Sequence, residues 1–316
     1  MKSQIKAFLK SREQRKLTKH IKNILSGEEL TLLDIGAAGV MENRWKRIST
    51  LVNYIGFEPD ERSYNDLLRK PNNCESYNLY QKAVWSKKGA ISFHLTRGWQ
   101  QSSHYQPNQN FVDNFPKRER FDIIKKIEME TDTIDNLVDK KIDFIKIDAQ
   151  GGELEILKGA NKTLDHVMGL EMEVGLHEIY LDQPLFHEVV NFMDEKDFVF
   201  IDLISLRRWE RANLYSSMGQ LVFGDAIFLR TPEWFVKYYG DNVQKLCRFM
   251  AICSLYNRFD IIDCLLQKMS PKLNDAKLFH GINVLRNRMK RFQKYRRVSD
   301  IISKLYGSEY NCHSLY

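Results

Sequence analysis

The sequence predicts an α/β fold in which helices cover both faces of a mainly parallel sheet. Strand and helix patterns alternate through residues 29–232, as is typical of parallel sheets built from strand–helix–strand units. Two short apolar runs, Thr31–Gly36 and Ile142–Gly151, each reach an aspartate and then a glycine. This pattern indicates buried strands that place polar side chains at the carboxyl edge of a sheet, where ligands bind in open α/β folds.

The elements follow in order along this central region. Residues 86–89 (Ser-Lys-Lys-Gly) predict a hairpin between 76–85 and 90–95, and residues 97–120 form a long polar and aromatic loop. The last two strands are expected to be antiparallel neighbours. The remaining strands are predicted at residues 31–35, 54–58, 123–130, 142–148, 168–174, 198–203 and 220–229, and the helices at 41–52, 60–69, 133–138 and 186–193.

Both chain ends predict helices. Residues 1–28 place apolar side chains at helical spacing with basic residues between them, so they predict a basic amphipathic helix. After Pro232 the strand patterns stop, and residues 233–316 predict a basic helical extension with helices near 242–256, 259–269 and 273–304. The sequence therefore divides into an N-terminal helix, a central α/β domain over 29–232 and a helical extension.

The net charge of +7 is unevenly distributed along the 316 residues. Residues 1–20 hold 7 Lys and Arg against one Glu, and residues 233–316 hold 15 against 7 Asp and Glu. The region between them is acidic, which argues against a nucleic acid lying across it. The N-terminal helix either docks on its own domain or a partner or lies on an anionic membrane. The basic tail either forms a solvated helix face or meets an anionic partner, which could be a phospholipid, a lipid-linked sugar or a nucleic acid. We expect a cytoplasmic protein, with peripheral membrane attachment as the alternative.

The five cysteines are scattered and lack metal-site spacing, so we expect reduced thiols and no dedicated metal centre. A divalent cation held by Asp148, Glu171 and Glu173 is the open alternative.

The first half of the domain has the arrangement of a nucleoside-binding site. Asp34 and Gly36 end the first strand, and Glu58 ends the second, where a carboxylate accepts hydrogen bonds from a ribose diol. The Gly-x-Gly-x-x-Gly fingerprint of dinucleotide sites is absent, since the turn holds only Gly36 and Gly39. S-adenosylmethionine, which has no phosphate, fits this turn better than NAD.

Several separated motifs resemble one family. They are Asp34-Ile-Gly36-Ala37, Phe57-Glu58-Pro59, Thr133-Ile-Asp135-Asn-Leu137 and, most specifically, the run from Phe144 to Ala160 that contains Asp148-Ala-Gln150-Gly151. Later blocks are Glu171-Met-Glu173, Tyr180, Gln183-Pro-Leu-Phe186 and Asp225-Ala-Ile-Phe228. Over about residues 30–230 the chain resembles the FkbM family of S-adenosylmethionine-dependent methyltransferases, which have a Rossmann-like class I fold.

The resemblance implies transfer of a methyl group to a hydroxyl of a sugar, glycan precursor or secondary metabolite. It implies cofactor binding by the turn after the first strand, by the end of the second strand and by the carboxylate that ends the buried strand. These residues are Asp34, Gly36, Ala37, Gly39, Glu58, Pro59 and Asp148.

A hydroxyl is a poor nucleophile, so we expect a base at the catalytic edge. The candidates are Asp148, Glu153, Glu173 and His177, with His104 on the long loop. Each has a structural alternative: helix capping for Asp148, a favourable helix dipole for Glu153, ion pairing for Glu173 and a surface position for the histidines.

Two further expectations concern the surroundings of the edge. Lys146 alternates with the buried side chains of its strand, so it either points at a carboxylate or lies on an exposed face. The loop 97–118 is expected to close the acceptor site.

Two other functions remain open at this point. One is a NAD-dependent oxidoreductase, which the glycine-poor turn disfavours. The other is a non-catalytic binding protein on the same fold, because Ala38 and Val40 occupy turn positions where class I methyltransferases usually repeat glycine.

Overall fold

The computed structural model describes residues 15–16, 18–38, 41–211 and 218–269. The chain divides into two compact units, one of residues Glu29–Phe235 and one that combines Met1–Glu28 with Val236–Tyr316. The first unit contains every described strand.

The described residues of the first unit form two sheets. A seven-stranded sheet has the order β3-β2-β1-β7-β8-β10-β9, and a three-stranded sheet has the order β4-β6-β5. In the large sheet β10 is antiparallel to both β8 and β9, and the other pairs are parallel. This confirms the predicted fold class. The strands are β1 Leu30–Ile35, β2 Val52–Phe57, β3 Ser76–Tyr80, β4 Ala83–Val84, β5 Gly89–Thr96, β6 Ile123–Asp132, β7 Phe144–Ile147, β8 Gly169–Gly175, β9 Val199–Trp209 and β10 Gln220–Leu229.

The described helices are mostly short. The helix Glu61–Arg69 is capped by Asp60, whose side chain accepts the backbone N–H groups of Arg62 and Ser63. They are α1 Asn43–Lys46, α2 Glu61–Arg69, α3 Gln109–Val112, α4 Ile134–Leu137, α5 Glu153–Lys158, α6 Asn161–Leu164, α7 Phe186–Glu195, α8 Pro232–Tyr239, α9 Val243–Leu255 and α10 Phe259–Met269.

The two faces of the large sheet differ in chemistry. Alternate residues of β1, β2 and β7 form a dry core on one face, with Leu33, Ile35 and Ile145 at most 5% exposed. Because side chains alternate along a strand, the intervening residues of β1 and β7, Asp34 and Lys146, lie on the other face. The second face therefore carries charge beside the site edge.

The structure corrects three local predictions. The predicted hairpin is wrong, because β6 lies between β4 and β5 and pairs with both. The helix predicted over residues 41–52 is only the single turn α1, followed by a 3-10 turn at Ser49–Leu51. Strand β9 continues to Trp209, six residues beyond the end predicted at residue 203.

In the second unit, residues 18–25 are helical, as predicted. Glu28 accepts hydrogen bonds from Gln244 at 3.1 Å and from Arg248 at 2.8 Å, both on α9. The predicted helix over 273–304 lies outside the described residues, as do residues 1–14. Among the described residues we find no helix with the length and hydrophobicity that crossing a bilayer requires.

Candidate functional site

Four neighbouring strands bring polar residues to one edge of the large sheet. Ile35 on β1 is in register with Phe57 on β2 and with Ile147 on β7, and Ile147 is in register with Met172 on β8. The residues that come next are Gly36, Glu58 and Asp148, each directly after its strand, and Glu173, which lies within β8 two residues before its end. With strands about 4.8 Å apart, the backbones at Glu58 and Asp148 are separated by about 10 Å.

Gly36 is required by its own backbone. Its φ is +71°, and a Cβ at this position would lie 1.8 Å from the carbonyl oxygen of Asp148. The Gly36 N–H donates to the carbonyl of Phe57 at 3.0 Å, and the Asp148 N–H donates to the carbonyl of Ile35 at 2.9 Å. The close approach that excludes a side chain here is therefore to the Asp148 backbone.

Glu58 directly follows β2 and is buried, with 4% of its surface exposed. Its Oε1 accepts the N–H of Asp60 at 2.9 Å. Burial raises the pKa of the Glu58 carboxyl to about 7, although backbone N–H groups of Asp60 and Ala38 oppose the shift. Pro59 follows it, and Ala37 is buried with its N–H donated to Phe57. Gly39 and Val40 lie outside the described residues.

Asp34 belongs to the charged face of the sheet. It is 4% exposed, and its Oδ2 accepts the hydroxyl of Tyr54 at 2.9 Å. The ammonium of Lys146, on the adjoining strand, lies 3.6 Å from Oδ1. Lys146 thus points at a carboxylate. Of the two positions predicted for it, this is the one observed, and the exposed face is not.

Lys146 is the centre of a row of charges across three strands. Its register partners are Asp34 on β1 and Glu171 on β8, and Arg44 lies 3.8 Å from Glu171. Burial opposes the charge of Lys146, but Asp34, Asp148, Glu171 and Asp225 together raise the pKa of its ammonium above the usual value. Lys146 therefore stays protonated.

Three predicted catalytic residues converge beyond this row. One carboxylate oxygen each of Asp148, Glu153 and Glu173 lies within 4.8 Å of the other two. Burial raises the pKa of Glu173 well above its usual value, and the charges of Asp148 and Glu153 raise it further. Glu153 begins α5, where its Oε1 accepts the N–H of Ala149 at 2.8 Å and of Gly151 at 3.3 Å. Burial raises its pKa to about 7.

Gln150 joins these carboxylates, and sequence reasoning did not place it among the site residues. Its Nε2 donates to Asp148 Oδ1 at 2.9 Å and to Glu173 Oε1 at 3.3 Å. Its Oε1 accepts the hydroxyl of Tyr180 at 3.1 Å. The backbone φ of Gln150 is +51°, a conformation that non-glycine residues seldom adopt. The available signal was the position of Gln150 between Asp148 and a glycine pair.

The divalent-cation site considered from the sequence consisted of Asp148, Glu171 and Glu173, which differs in part from the cluster observed. The acidic cluster contains Glu153 rather than Glu171, which lies beside Arg44. Three carboxylates at this spacing suit a divalent cation. In this protein the Gln150 amide donates to two of them and backbone N–H groups to the third, so hydrogen-bond donors already join the cluster.

The two histidines lie outside this cluster. His177 stacks on Phe111, with ring centroids 5.4 Å apart, and its Nε2 lies 2.9 Å from Nε2 of Gln220. His104 Nδ1 lies 2.8 Å from the carbonyl of Ser92. Both rings are held by neighbours on the protein, and a catalytic role for either remains a prediction.

The segment predicted as a loop over 97–118 reaches the acidic cluster. The hydroxyl of Ser103 donates to the carbonyl of Gln150 at 2.6 Å, and Tyr180 is 3.1 Å from the carbonyl of Gln101. The segment includes α3 and is tied to Ile179 through the N–H of Asn108. The segment is therefore structured where it borders the acidic cluster.

Comparisons with known proteins identify the family of this chain. The model of the methyltransferase FkbM domain matches residues 36–200. The chain is similar to the 2-O-methyltransferase NoeI of Sinorhizobium fredii (strain NBRC 101917 / NGR234), with 24% identity over 195 residues, 58% of this chain and 79% of NoeI.

Two solved structures are similar at low identity. A methyltransferase FkbM from Methylobacillus flagellatus KT gives a TM-score of 0.39 at 14% identity, over 64% of this chain and 43% of that one. The magnesium protoporphyrin IX methyltransferase ChlM of Synechocystis PCC 6803, solved with bound SAM, gives 0.31 at 8% identity, over 69% and 80%. The present chain thus spans less than half of the first of these proteins.

Proposed function

We propose, because the chain belongs to the FkbM family of methyltransferases, that it transfers a methyl group from S-adenosylmethionine to a hydroxyl of a saccharide-like acceptor. The observation that carries the proposal is the common register of β2, β1, β7 and β8, which brings Glu58, Gly36, Asp148 and Glu173 to one edge. A donor site and an acceptor site built on neighbouring strand ends hold two reactants side by side.

Glu58 and the turn at Gly36 would hold the nucleoside of the cofactor. The Glu58 side chain stands at the end of β2, and Oε1 is fixed by the N–H of Asp60 at 2.9 Å. A carboxylate held in this way can accept hydrogen bonds from the two ribose hydroxyls. Since the pKa of Glu58 is about 7 in the free protein, those hydroxyl donors would favour its ionised form on binding.

Asp148 is the base that the proposal assigns to the acceptor hydroxyl. Its Oδ1 is fixed by the Gln150 amide at 2.9 Å, while no described residue donates a hydrogen bond to its Oδ2. The Asp148 side chain is partly exposed, unlike Glu153, which is 5% exposed and engaged by two backbone N–H groups. An acceptor hydroxyl bonded to Oδ2 would pass its proton to Asp148 as the oxygen takes the methyl group from sulfur.

The hydroxyl acceptor is supported by two points. The relative NoeI is by name a 2-O-methyltransferase, and the acidic edge supplies the base that a hydroxyl needs more than an amine or thiol does. Glu173 and Gln150 would orient the same acceptor, because the Gln150 amide donates to both Glu173 and Asp148 and so holds the three side chains together.

The donor half is tested by calorimetry with S-adenosylhomocysteine and NAD in parallel. We expect S-adenosylhomocysteine to bind and NAD to give no heat above dilution. Glu58→Gln should weaken binding at least about ten-fold, the loss expected for hydrogen bonds to a charged group. Glu61→Gln is the matched control, since Glu61 is exposed in the first turn of α2. Tight NAD binding, or equal affinity in the Glu58 variant, would contradict the proposal.

The acceptor half is tested by turnover. Radiolabelled S-adenosylmethionine and a panel of hexoses, methyl glycosides and sugar phosphates should give an alkali-stable methylated product. Asp148→Asn should lower kcat by about 10²-fold or more, as expected when a general base is lost, with S-adenosylhomocysteine affinity retained. Cofactor binding without turnover on every member of the panel would instead favour the non-catalytic binding protein.

A further inference from the structure

A positively charged aromatic surface lies beside the acidic cluster, and we call it the arginine–tryptophan surface. Its centre is Trp209, at the end of β9. The guanidinium carbon of Arg120 lies 4.7 Å from the Trp209 ring, and that of Arg211 lies 5.5 Å from the Phe115 ring, which packs on Trp209 at 5.2 Å. Arg207 and Arg208 immediately precede Trp209 on the strand. Two guanidinium groups therefore pack on this aromatic cluster, and a third, that of Arg207, lies on the same face of β9 as Trp209, because side chains alternate along a strand.

The aromatic part of this surface is well packed. The rings of Phe111, Phe115 and Phe121 have their centroids 6.0, 5.2 and 5.8 Å from that of Trp209. The backbone of Arg120 is fixed as well, since its carbonyl accepts the N–H of Gly98 at 2.8 Å. The charges are thus presented on a rigid support, which lowers the entropic cost of binding a ligand.

These arginines have no carboxylate within ion-pair distance among the described residues. Arg208 and Arg211 donate to neutral oxygens, the carbonyl of Gly219 at 3.3 Å and Oδ1 of Asn114 at 2.9 Å. The Nε of Arg120 is buried and has no hydrogen-bond partner in the described part of the chain. Burial lowers the pKa of Arg120, and its interactions with Tyr180 and Glu119 oppose the shift.

Two buried rings connect the arginine–tryptophan surface to the acceptor edge, since Phe121 and Tyr180 are each 2% exposed. Phe121, which packs on Trp209, also meets the ring of Tyr180, with centroids 6.1 Å apart. The hydroxyl of Tyr180 donates toward Gln150, which holds Asp148. Only two rings therefore separate Trp209 from the network around the proposed base.

We infer that the acceptor carries a phosphoester, as a sugar phosphate does, and that the arginine–tryptophan surface binds this group with Arg120 as its central contact. The inference rests on the proposed function and adds the chemical class of the acceptor. The guanidinium groups of Arg120, Arg207 and Arg211 match a doubly charged phosphoester better than a single carboxylate, and the guanidinium fork fits phosphate oxygens. The acidic cluster repels the same group, so the two surfaces orient the acceptor from opposite ends.

Calorimetry on the full chain tests this surface. The probes are glucose 1-phosphate, inorganic pyrophosphate, glucuronate and neutral glucose. We expect the two phosphates to bind, more weakly as NaCl is raised from about 50 to about 200 mM, and glucose not to bind. Arg120→Gln should weaken phosphate binding at least about ten-fold, as expected for loss of one charge-assisted contact. Arg120→Lys, which keeps the charge without the fork, should be intermediate.

Arg118→Gln is the matched control. Arg118 lies two residues away in the same turn but is exposed and paired with Asp113 at 3.2 Å. Equal phosphate affinity in the Arg120 and Arg118 variants would overturn the inference, as would the absence of phosphate binding or a preference for glucuronate. Circular dichroism melting of each variant distinguishes lost binding from lost folding.

The S-adenosylhomocysteine titration separates this inference from the proposed function. If the cofactor analogue binds and the phosphates do not, the inference fails and methyl transfer still stands. If Arg120-dependent phosphate binding is found without any affinity for the cofactor analogue, the phosphate site stands and the proposed function fails.

Discussion

Glu153→Gln should change how the stability of this protein depends on pH. Glu153 is 5% exposed, and burial raises the pKa of its carboxyl from 4.5 to about 7. The substitution keeps the oxygen that accepts the N–H groups of Ala149 and Gly151 and removes only the charge. The new amide N–H₂ can donate to Asp148, whose carboxylate lies within 4.8 Å.

The sign follows from proton binding. Between pH 4.5 and about 7 the folded protein holds a proton on Glu153 that the unfolded chain has released, so the free energy of unfolding falls as pH rises through this window. The rise in pKa corresponds to about 3 kcal/mol, at about 1.4 kcal/mol per unit. Glu153→Gln removes this loss, so its stability relative to the wild type should improve by about 3 kcal/mol from pH 4.5 to pH 8.

Urea unfolding at pH 4.5, 6, 7 and 8 measures this difference. Glu155→Gln is the control, because Glu155 lies in the same helix, is paired with Lys158 and has a lowered pKa. That variant should show a small dependence of opposite sign. If the stability difference between Glu153→Gln and the wild type were the same at all four pH values, Glu153 would not be a buried acid with a raised pKa, and this account of the cluster would be wrong.

Three other predictions follow from contacts and charges outside the acidic cluster. Gly36→Ala should destabilise the protein by about 3 kcal/mol or more in urea unfolding, because its Cβ meets the Asp148 carbonyl. Gly27→Ala, with φ +97° and nothing within 4 Å, should cost only about 1–2 kcal/mol. Arg230→Met should cost about 3 kcal/mol by the same measurement, since it leaves the carbonyls of Val167, Leu164 and Lys196 without their donor; Arg230→Lys should recover part of this. Changing the seven basic residues of 286–297 to Gln should weaken sedimentation with phosphatidylserine vesicles if the basic tail meets a membrane, and unchanged binding would remove that hypothesis.

The strands that form the site were predictable because each is buried. A strand such as β7, covered on both faces, leaves a run of apolar residues that stops at a polar one, and Asp148 marks that stop. The same reasoning placed Glu58 at the end of its strand, whereas Glu173, also predicted to end its strand, lies two residues before the end of β8. The convergence of Asp148, Glu153 and Glu173 depends on the neighbouring positions of β7 and β8, and the alternation of strands and helices predicts a parallel sheet without giving that order.

The rest of the fold and site depends on contacts that local patterns do not encode. The glycine at 89 is a genuine turn signal, but the partner of β5 is β6, whose first paired residue lies more than 30 positions further along the chain. Arg44 lies beside Glu171, which is distant in sequence, and no periodicity links them. Gln150 acquires its role only because a positive φ turns its amide toward two carboxylates.

The acidic edge suits the movement of charge in the proposed reaction. Carboxylates gathered in a buried place cost free energy, and here Lys146 and the raised pKa values of Glu153, Glu173 and Asp225 limit that cost. In the proposed reaction S-adenosylmethionine would bring a positive sulfonium, and transfer would leave that positive charge as a proton on Asp148. The cluster would therefore face one positive charge before and after the chemical step, so its electrostatic stabilisation is available throughout the reaction instead of being lost when the sulfonium is neutralised.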